Sequence, residues 1–351
     1  MNPILYPIGQ KTFDNNGLGV LSDAISCKCT EVLNGEDELE LSLYSDGVHA
    51  NEISVNCILK VKPNYEDDPQ PFRIYSLEED IQGLIKVKAA HLTYDTSGIP
   101  ILPCSVSSLG EAVNHINTQH ILTEETDFVL TTDFDAEGEF IIENPSSFRS
   151  VLGDGEKTLL GVYGGDFHYD DHVIELLSAR GADKGICFRY RKNITGFEQE
   201  MNSEDLYSAV VGYWKKSGSN GSDPTFVYGS IMGINNSLPY DRIYILDTSE
   251  MIKNDNNADA SAEQINACVE QYIYDNVIGI PKYTMKIDYA EDDNIVKVCL
   301  GDIVGVLMPE YGIKSRARCR KVVFDCLLER NESIEIGNIT PGLAGDLATV
   351  V

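Results

Sequence analysis

The chain has 351 residues, 42% of them apolar and 24% charged, and its 27 Lys plus Arg stand against 56 Asp plus Glu, a formal net charge of -29. That length exceeds one ordinary core and calls for several units, and the composition is that of a folded chain. The acidic balance argues against gripping a phosphate backbone, which needs clustered cations to displace counterions; it is compatible with DNA sliding past a repelling wall.

Nine cysteines are scattered singly apart from Cys27 and Cys29, without a CxxC pair or Cys/His zinc spacing. They read as reduced thiols of a protein assembled in the cytosol. The segment Met1 to Pro7 has neither a basic region nor a long apolar run. No stretch approaches the roughly 20 apolar residues of a spanning helix, so a soluble chain without stable membrane insertion is expected.

Residues 24–44 carry two strand-like runs meeting at Asn34-Gly35, a dipeptide suited to the positive φ angles of a tight hairpin. On the return run Leu39, Leu41 and Leu43 alternate with Glu38, Glu40 and Ser42, so one face is buried and the other wet. Strands follow at Ile58–Lys62, Phe72–Tyr75 and Leu84–Ala89, with a polar loop over Pro63–Pro71. Short strands separated by Gly, Pro and Asp turns indicate an antiparallel barrel or sandwich.

Ser108-Leu109-Gly110-Glu111 is a capping box opening a helix with Leu109, Ala112, Val113 and Ile116 on one face. A second box, Ser261-Ala262-Glu263-Gln264, precedes Ile265, Cys268, Val269 and Tyr272 at the same spacing. Ser217–Pro224 and Asn254–Asp259 read as loops. Strands return at Ile295–Leu300, Ile303–Leu307, Arg320–Leu328 and Ile334–Ile336.

The fold class expected is a β-rich α+β protein with two barrel-like antiparallel β domains and smaller α+β domains between them. Residues 1–100 form the first barrel, completed by a segment near 180–215, and 101–180 an inserted α+β domain. Residues 181–250 connect and start the second barrel, 251–290 are a helical α+β segment, 291–340 the rest of that barrel and 341–351 a tail.

Little chemistry is legible. In Asp166-Phe167-His168-Tyr169-Asp170-Asp171-His172, strand alternation puts His168, Asp170 and His172 on one side, where they could approach a common ion, although solvated strand polarity is the simpler account. Asp133-Phe134-Asp135-Ala136-Glu137-Gly138 resembles the opening of a calcium loop, but the twelfth position is Asn144 and Phe140-Ile141-Ile142 read as strand. No GxSxG, HExxH, P-loop or dinucleotide-binding glycine pattern occurs, and His49, His91, His115, His120, His168 and His172 fall in different elements as surface or second-layer residues. The acid pairs Glu78-Glu79 and Glu124-Glu125 are unremarkable among so many acids. Arg73, Arg149, Arg180, Arg189 and Arg191, beside aromatic or apolar residues in an acidic chain, suit carboxylate clamps. No catalytic, cofactor-binding or metal-binding residue is expected, and no cofactor.

The order of several segments resembles the phage minor structural proteins known as prophage tail endopeptidases or tail-associated lysins. These are Asn16-Gly17-Leu18-Gly19 through Ala24, Glu31 through Leu39, Gln70-Pro71-Phe72-Arg73-Ile74-Tyr75, His91-Leu92-Thr93-Tyr94-Asp95, Gly98-Ile99-Pro100, Pro145 through Gly153, Tyr163-Gly164-Gly165-Asp166, Arg180-Gly181 and Arg189-Tyr190-Arg191-Lys192-Asn193. Leu246-Asp247-Thr248-Ser249, Gly279-Ile280-Pro281 and Leu300-Gly301-Asp302 continue it more weakly.

The resemblance implies a hub like that of a phage baseplate: a homotrimer of two-barrel subunits that adapts a sixfold tail tube to a threefold tip around a channel. It implies as partners a distal tail protein, a tape measure protein, receptor-binding or tip proteins, and DNA in passage, at a virion tail tip assembled in the bacterial cytoplasm. The final strand near Ile334–Gly337 is followed only by a short tail, so the lytic region of longer relatives is not expected. Two alternatives remain: a peptidoglycan endopeptidase around His168, Asp170 and His172, and a receptor- or carbohydrate-binding tail protein using exposed Tyr and Trp214.

Overall fold

The computed structural model describes residues 1–121, 126–153, 155, 157–189, 192, 194–202, 206–216, 224–234, 238, 240–249, 251–252, 259–276, 282–289, 297–311 and 313–337. The chain forms two compact units, the first made of Met1–Glu198 with Met285–Gly337 and the second of the remainder.

The first unit opens with seven strands, β1 (Ile4–Tyr6), β2 (Gly19–Val20), β3 (Ser26–Val32), β4 (Asp37–Tyr44), β5 (Ile58–Val61), β6 (Gln70–Glu79) and β7 (Leu84–His91). The β3–β4 hairpin forms as its sequence dictates: Asn34 takes a φ of 58° at the turn, and Leu39, Leu41 and Leu43 are buried while Glu40 and Tyr44 are exposed.

Residues 100–177 then build an α+β segment. It contains β8 (Pro100–Ile101), β9 (Cys104–Ser108), α1 (Leu109–Thr118), β10 (Val129–Thr132), β11 (Glu137–Ile142), β12 (Ser146–Ser147), α2 (Phe148–Leu152), α3 (Leu159–Tyr163), β13 (Asp166–Asp170) and β14 (Val173–Leu177). The Ser108 hydroxyl caps α1 by accepting the Glu111 N–H, and Leu109, Ala112 and Ile116 are fully buried. They join Phe140, Phe148, Ile174 and Leu176 in one core, where each buried Leu, Ile or Phe side chain contributes about 1.5–3 kcal/mol.

After β15 (Asp183–Arg189) and β16 (Ile194–Asn202), the second unit contains β17 (Ala209–Lys216), β18 (Thr225–Tyr228), β19 (Met232–Gly233), β20 (Ile243–Asp247) and α4 (Ala262–Asn276). Its capping box is reciprocal: Ser261 Oγ accepts from Gln264 N, and Gln264 Oε1 accepts from Ser261 N. Ile265 and Val269 of α4 pack with Val210 and Leu246 of the sheet.

The chain then gives β21 (Lys282–Tyr289), β22 (Ile303–Met308), β23 (Ile313–Asp325) and β24 (Arg330–Gly337). A 13-stranded sheet runs in the order β16-β21-β24-β23-β3-β4-β7-β6-β5-β1-β2, with β22 joined to β23 and β15 to β22. The expected β-rich α+β class is therefore present, with the strands on an open path and no closed ring among the described residues.

The strand expected over Ile295–Leu300 does not form in its described part, residues 297–300. The Asp302 carboxylate accepts the Cys299 N–H at 2.8 Å and turns the chain, although Val298, Cys299 and Leu300 remain buried. Arg320–Leu328 is strand only as far as Asp325, where the turn into β24 begins. The loop expected over Pro63–Pro71 stops at Pro69, because Gln70 and Pro71 already belong to β6. Glu124-Glu125, Arg191, Gly279-Ile280-Pro281, the tail 341–351 and most of the two expected loops lie outside the described residues.

Candidate functional site

Within the first unit, the α+β segment is held to the sheet by ion pairs rather than by an apolar seam alone. Glu31 occupies the inward phase of β3, beside Cys27 and Cys29. Its carboxylate meets the Arg180 guanidinium at 2.7 Å, with side-chain exposures of only 10% and 9%, and accepts from Asn64 at 3.2 Å. Arg180 also donates to the Phe167 carbonyl at 3.2 Å, and its backbone N–H to Asp166 at 2.7 Å. Arg318 of β23 grips the same Asp166 carboxylate and the Arg180 carbonyl.

Gly181 and Gly301 make this approach possible. A Cβ on Gly181 (φ 73°) would lie 2.1 Å from the Gly301 carbonyl carbon, and one on Gly301 (φ 86°) would lie 2.4 Å from the Arg180 oxygen. Only glycine fits two backbones so close with positive φ. Next to them, the fully buried Asp302 accepts from Ala182 N at 2.9 Å and from Lys184 Nζ at 2.9 Å. Burial works against the Lys184 charge, but the Asp302 hydrogen bond and the nearby negative charges of Asp302 and Glu66 together outweigh it and hold the ammonium pKa above its ordinary value.

His168 is a second tie. Its Nδ1 lies 2.7 Å from Glu175 and its Nε2 3.0 Å from Asp67. Burial would lower its pKa, yet the Asp67 and Glu175 contacts push it up to about 9, so it is an imidazolium at neutral pH with both nitrogens donating. Asp67, whose burial alone would raise it, is held below the usual carboxylate range by His168.

The structure does not bring His168, Asp170 and His172 together. Strand β13 ends at Asp170 and Asp171 turns the chain with φ 52°, which breaks the alternation that grouped them. Asp170 accepts from Gln70 at 2.8 Å, whereas His172 contacts Asp171 and the rings of Phe13 and Phe128. Among the described residues no group of three or more His, Cys, Asp or Glu is arranged to hold a metal. The calcium-like Asp133 is instead acceptor to the Ser178 N–H at 2.7 Å, and β11 fills the second half of that loop.

The clamps expected of arginine form at Arg73 and Arg180. Arg73 Nε reaches both Asp95 oxygens, at 2.9 and 2.8 Å. Arg149 stacks instead, its guanidinium carbon 3.8 Å from the Tyr94 ring centroid. His91, expected as a surface or second-layer residue, is fully buried between Phe72 and Tyr169, and burial drops its pKa to about 3, so it is neutral. Sequence reasoning missed Glu31, Asp166, Asp302 and Arg318. The inward phase of Glu31 in the alternating β3 was the one available signal.

Two surfaces remain. The outward face of β3, β4, β23 and β24 forms a trough of about 630 Å³ lined by Lys28, Glu40, Lys286, Asp288, Lys321 and Glu335 among others. Two of its lysines pair with acids, Lys28 with Glu332 at 2.7 Å and Lys321 with Glu36 at 3.2 Å, which argues against a phosphate-binding stripe. In the second unit the sheet face opposite α4 exposes Phe226, Tyr228, Ile243 and Ile245, while Trp214 packs against the α4 core.

This architecture is that of the tail proteins of prophages. The chain superposes with a TM-score of 0.58 on prophage tail protein gp18 from Listeria monocytogenes EGD-e, at 15% identity, covering 98% of this chain and 96% of that one. It does so with a TM-score of 0.59 on the prophage MuSo2 tail protein from Shewanella oneidensis, at 11% identity over 97% and 99% of the two chains. The tail protein from Neisseria meningitidis MC58 gives 0.58 at 10% identity over 97% of each. In sequence, residues 182–345 match the family described as prophage endopeptidase tail. These matches show the resemblance to phage tail proteins first seen in the order of short segments. No curated protein matches the chain.

Proposed function

We propose that the chain is the structural hub of a bacteriophage, prophage or tailocin tail tip. In this reading it trimerises, adapts the sixfold tube to a threefold tip, and leaves a channel for the tape measure protein and DNA. The distal tail protein binds one side, and tip or receptor-binding proteins the other. The division into hub domains expected from the sequence goes with it, as does assembly in the bacterial cytoplasm.

The observation that carries the reading is the likeness of fold to prophage tail proteins over nearly the full length of both chains. The ionic ties add to it: they fix the α+β segment on the sheet through buried, fully committed side chains, which suits a rigid assembly part. Interfaces between such subunits are expected to be large and symmetric. The pairing of Lys28 and Lys321 in the trough fits a surface past which DNA moves without being retained.

Mass measurement of the chain, alone and mixed with the distal tail protein of the same genome, tests the reading. A trimer in either sample is expected, and a monomer in both refutes it. The family's name favours a second reading, an endopeptidase. His168 argues against its proposed centre, since an imidazolium bonded at both nitrogens cannot take up a proton. Zymography on purified cell walls is expected to show no clearing; clearing that disappears in His168→Ala would establish the peptidase instead.

A further inference from the structure

Cys27 lies on β3, and Cys326 opens the turn that joins β23 to β24. The ladder pairs Lys28 with Asp325, and Cys326 donates its N–H to the Cys27 carbonyl at 2.8 Å, so the two cysteines face each other across antiparallel strands. Directly opposed residues of this kind have Cα atoms about 5.5 Å apart, inside the roughly 4.4–6.8 Å that a disulfide spans. Both side chains are fully buried, and the two thiols adjoin. Cys29 sits on the same strand opposite Phe324, which makes its approach to Cys326 a diagonal one of about 7–8 Å, too long to bridge.

We propose that Cys27 and Cys326 are a modification site: free thiols in the reducing cytosol that join as a cross-strand disulfide once the protein meets an oxidising exterior. The oxidant is a low-molecular-weight disulfide. The Cys326 thiolate attacks one of its sulfurs and releases one thiolate, leaving a mixed disulfide. The Cys27 thiolate then attacks the Cys326 sulfur, forms the Cys27–Cys326 bond and releases the second thiolate. Two protons pass from the cysteines to the two small thiols, which carry away the two electrons.

The turn gives the oxidant its route. Residues 326–329 lie outside the ladder and Leu328 is 60% exposed, so opening this turn brings Cys326 to solvent while β3 stays paired with β4. Contact with Cys326, followed by burial, raises the Cys27 thiol pKa, which keeps that thiol quiet while the turn is closed. Once formed, the bond ties β3 to a turn almost 300 residues away in sequence, and so restricts the unfolded chain.

The test incubates the reduced, purified full chain with hydroxyethyl disulfide at mildly alkaline pH, alkylates it, digests it without reductant and maps the peptides by mass spectrometry. The expected product has lost two hydrogens, joins the Cys27 and Cys326 peptides, and unfolds at a higher urea concentration than the reduced protein. Cys326→Ala should lose both changes and Cys29→Ala should keep both. Recovery of Cys27 and Cys326 fully alkylated while the exposed Cys187 is modified would overturn the proposal. So would a bond to any other cysteine, or an unchanged unfolding midpoint in the linked protein.

Discussion

Replacing Arg180 with Met tests whether the α+β segment is held to the sheet by charge. Arg180 and Glu31 are about nine-tenths buried and 2.7 Å apart. Their attraction offsets the desolvation of both, so the pair as a whole adds little, whereas removal of one partner strands the other. With Arg180 gone, Glu31 keeps only the Asn64 hydrogen bond, and the loss should be about 3–5 kcal/mol. At about 2–4 °C per kcal/mol for a unit of this size, the melting temperature should fall by roughly 6–20 °C. Urea denaturation followed by circular dichroism of wild type, Arg180→Met, Glu31→Gln and the double variant closes the cycle. The double variant should recover much of what Arg180→Met loses, because no charge is then left unpaired. A loss below about 1 kcal/mol in the single variant, or a double variant no more stable than it, would refute the reasoning.

Two further outcomes are expected. The folded pKa of His168 is raised above 6.5, so the stability it contributes is fully present below that pH and is lost as pH climbs through about 9. Such a shift corresponds to roughly 3 kcal/mol, and the stability gap between wild type and His168→Gln, read from urea titrations, should close over that interval. Ser261→Ala removes an exposed helix cap and should cost about 1 kcal/mol in the second unit, with Ser261→Gly costing less; equal stability of wild type and Ser261→Ala would show that the cap does nothing.

Local signals were legible and distant ones were not. Asn34-Gly35 and the two capping boxes declare themselves because partners a few residues apart must satisfy one another. Arg73 and Arg180 could be singled out as clamps from their rarity in an acidic chain, but not paired with Asp95 or Glu31. Of the partners of His168, Asp67 stands 101 residues away and Glu175 faces it from the next strand, whereas alternation within one strand suggested Asp170 and His172 instead. Ile295–Leu300 misled for a related reason: an apolar alternating run is buried in a strand and in a tight turn alike, and the side chain of Asp302 decides between them. That β23 lies beside β3 leaves no trace in either strand's own pattern.

The position of β3 has a consequence for synthesis. One side of this strand is met at once by β4, but the other waits for residues 321–325. At ribosomal rates of about 5–20 residues per second, that edge stands unpaired for roughly 15–60 s. During this time it is a template for wrong partners, which chaperones or a fast helper interaction must shield. A nascent chain released before β23 has been made keeps that edge open, and so carries a mark by which quality control can tell it from a finished subunit.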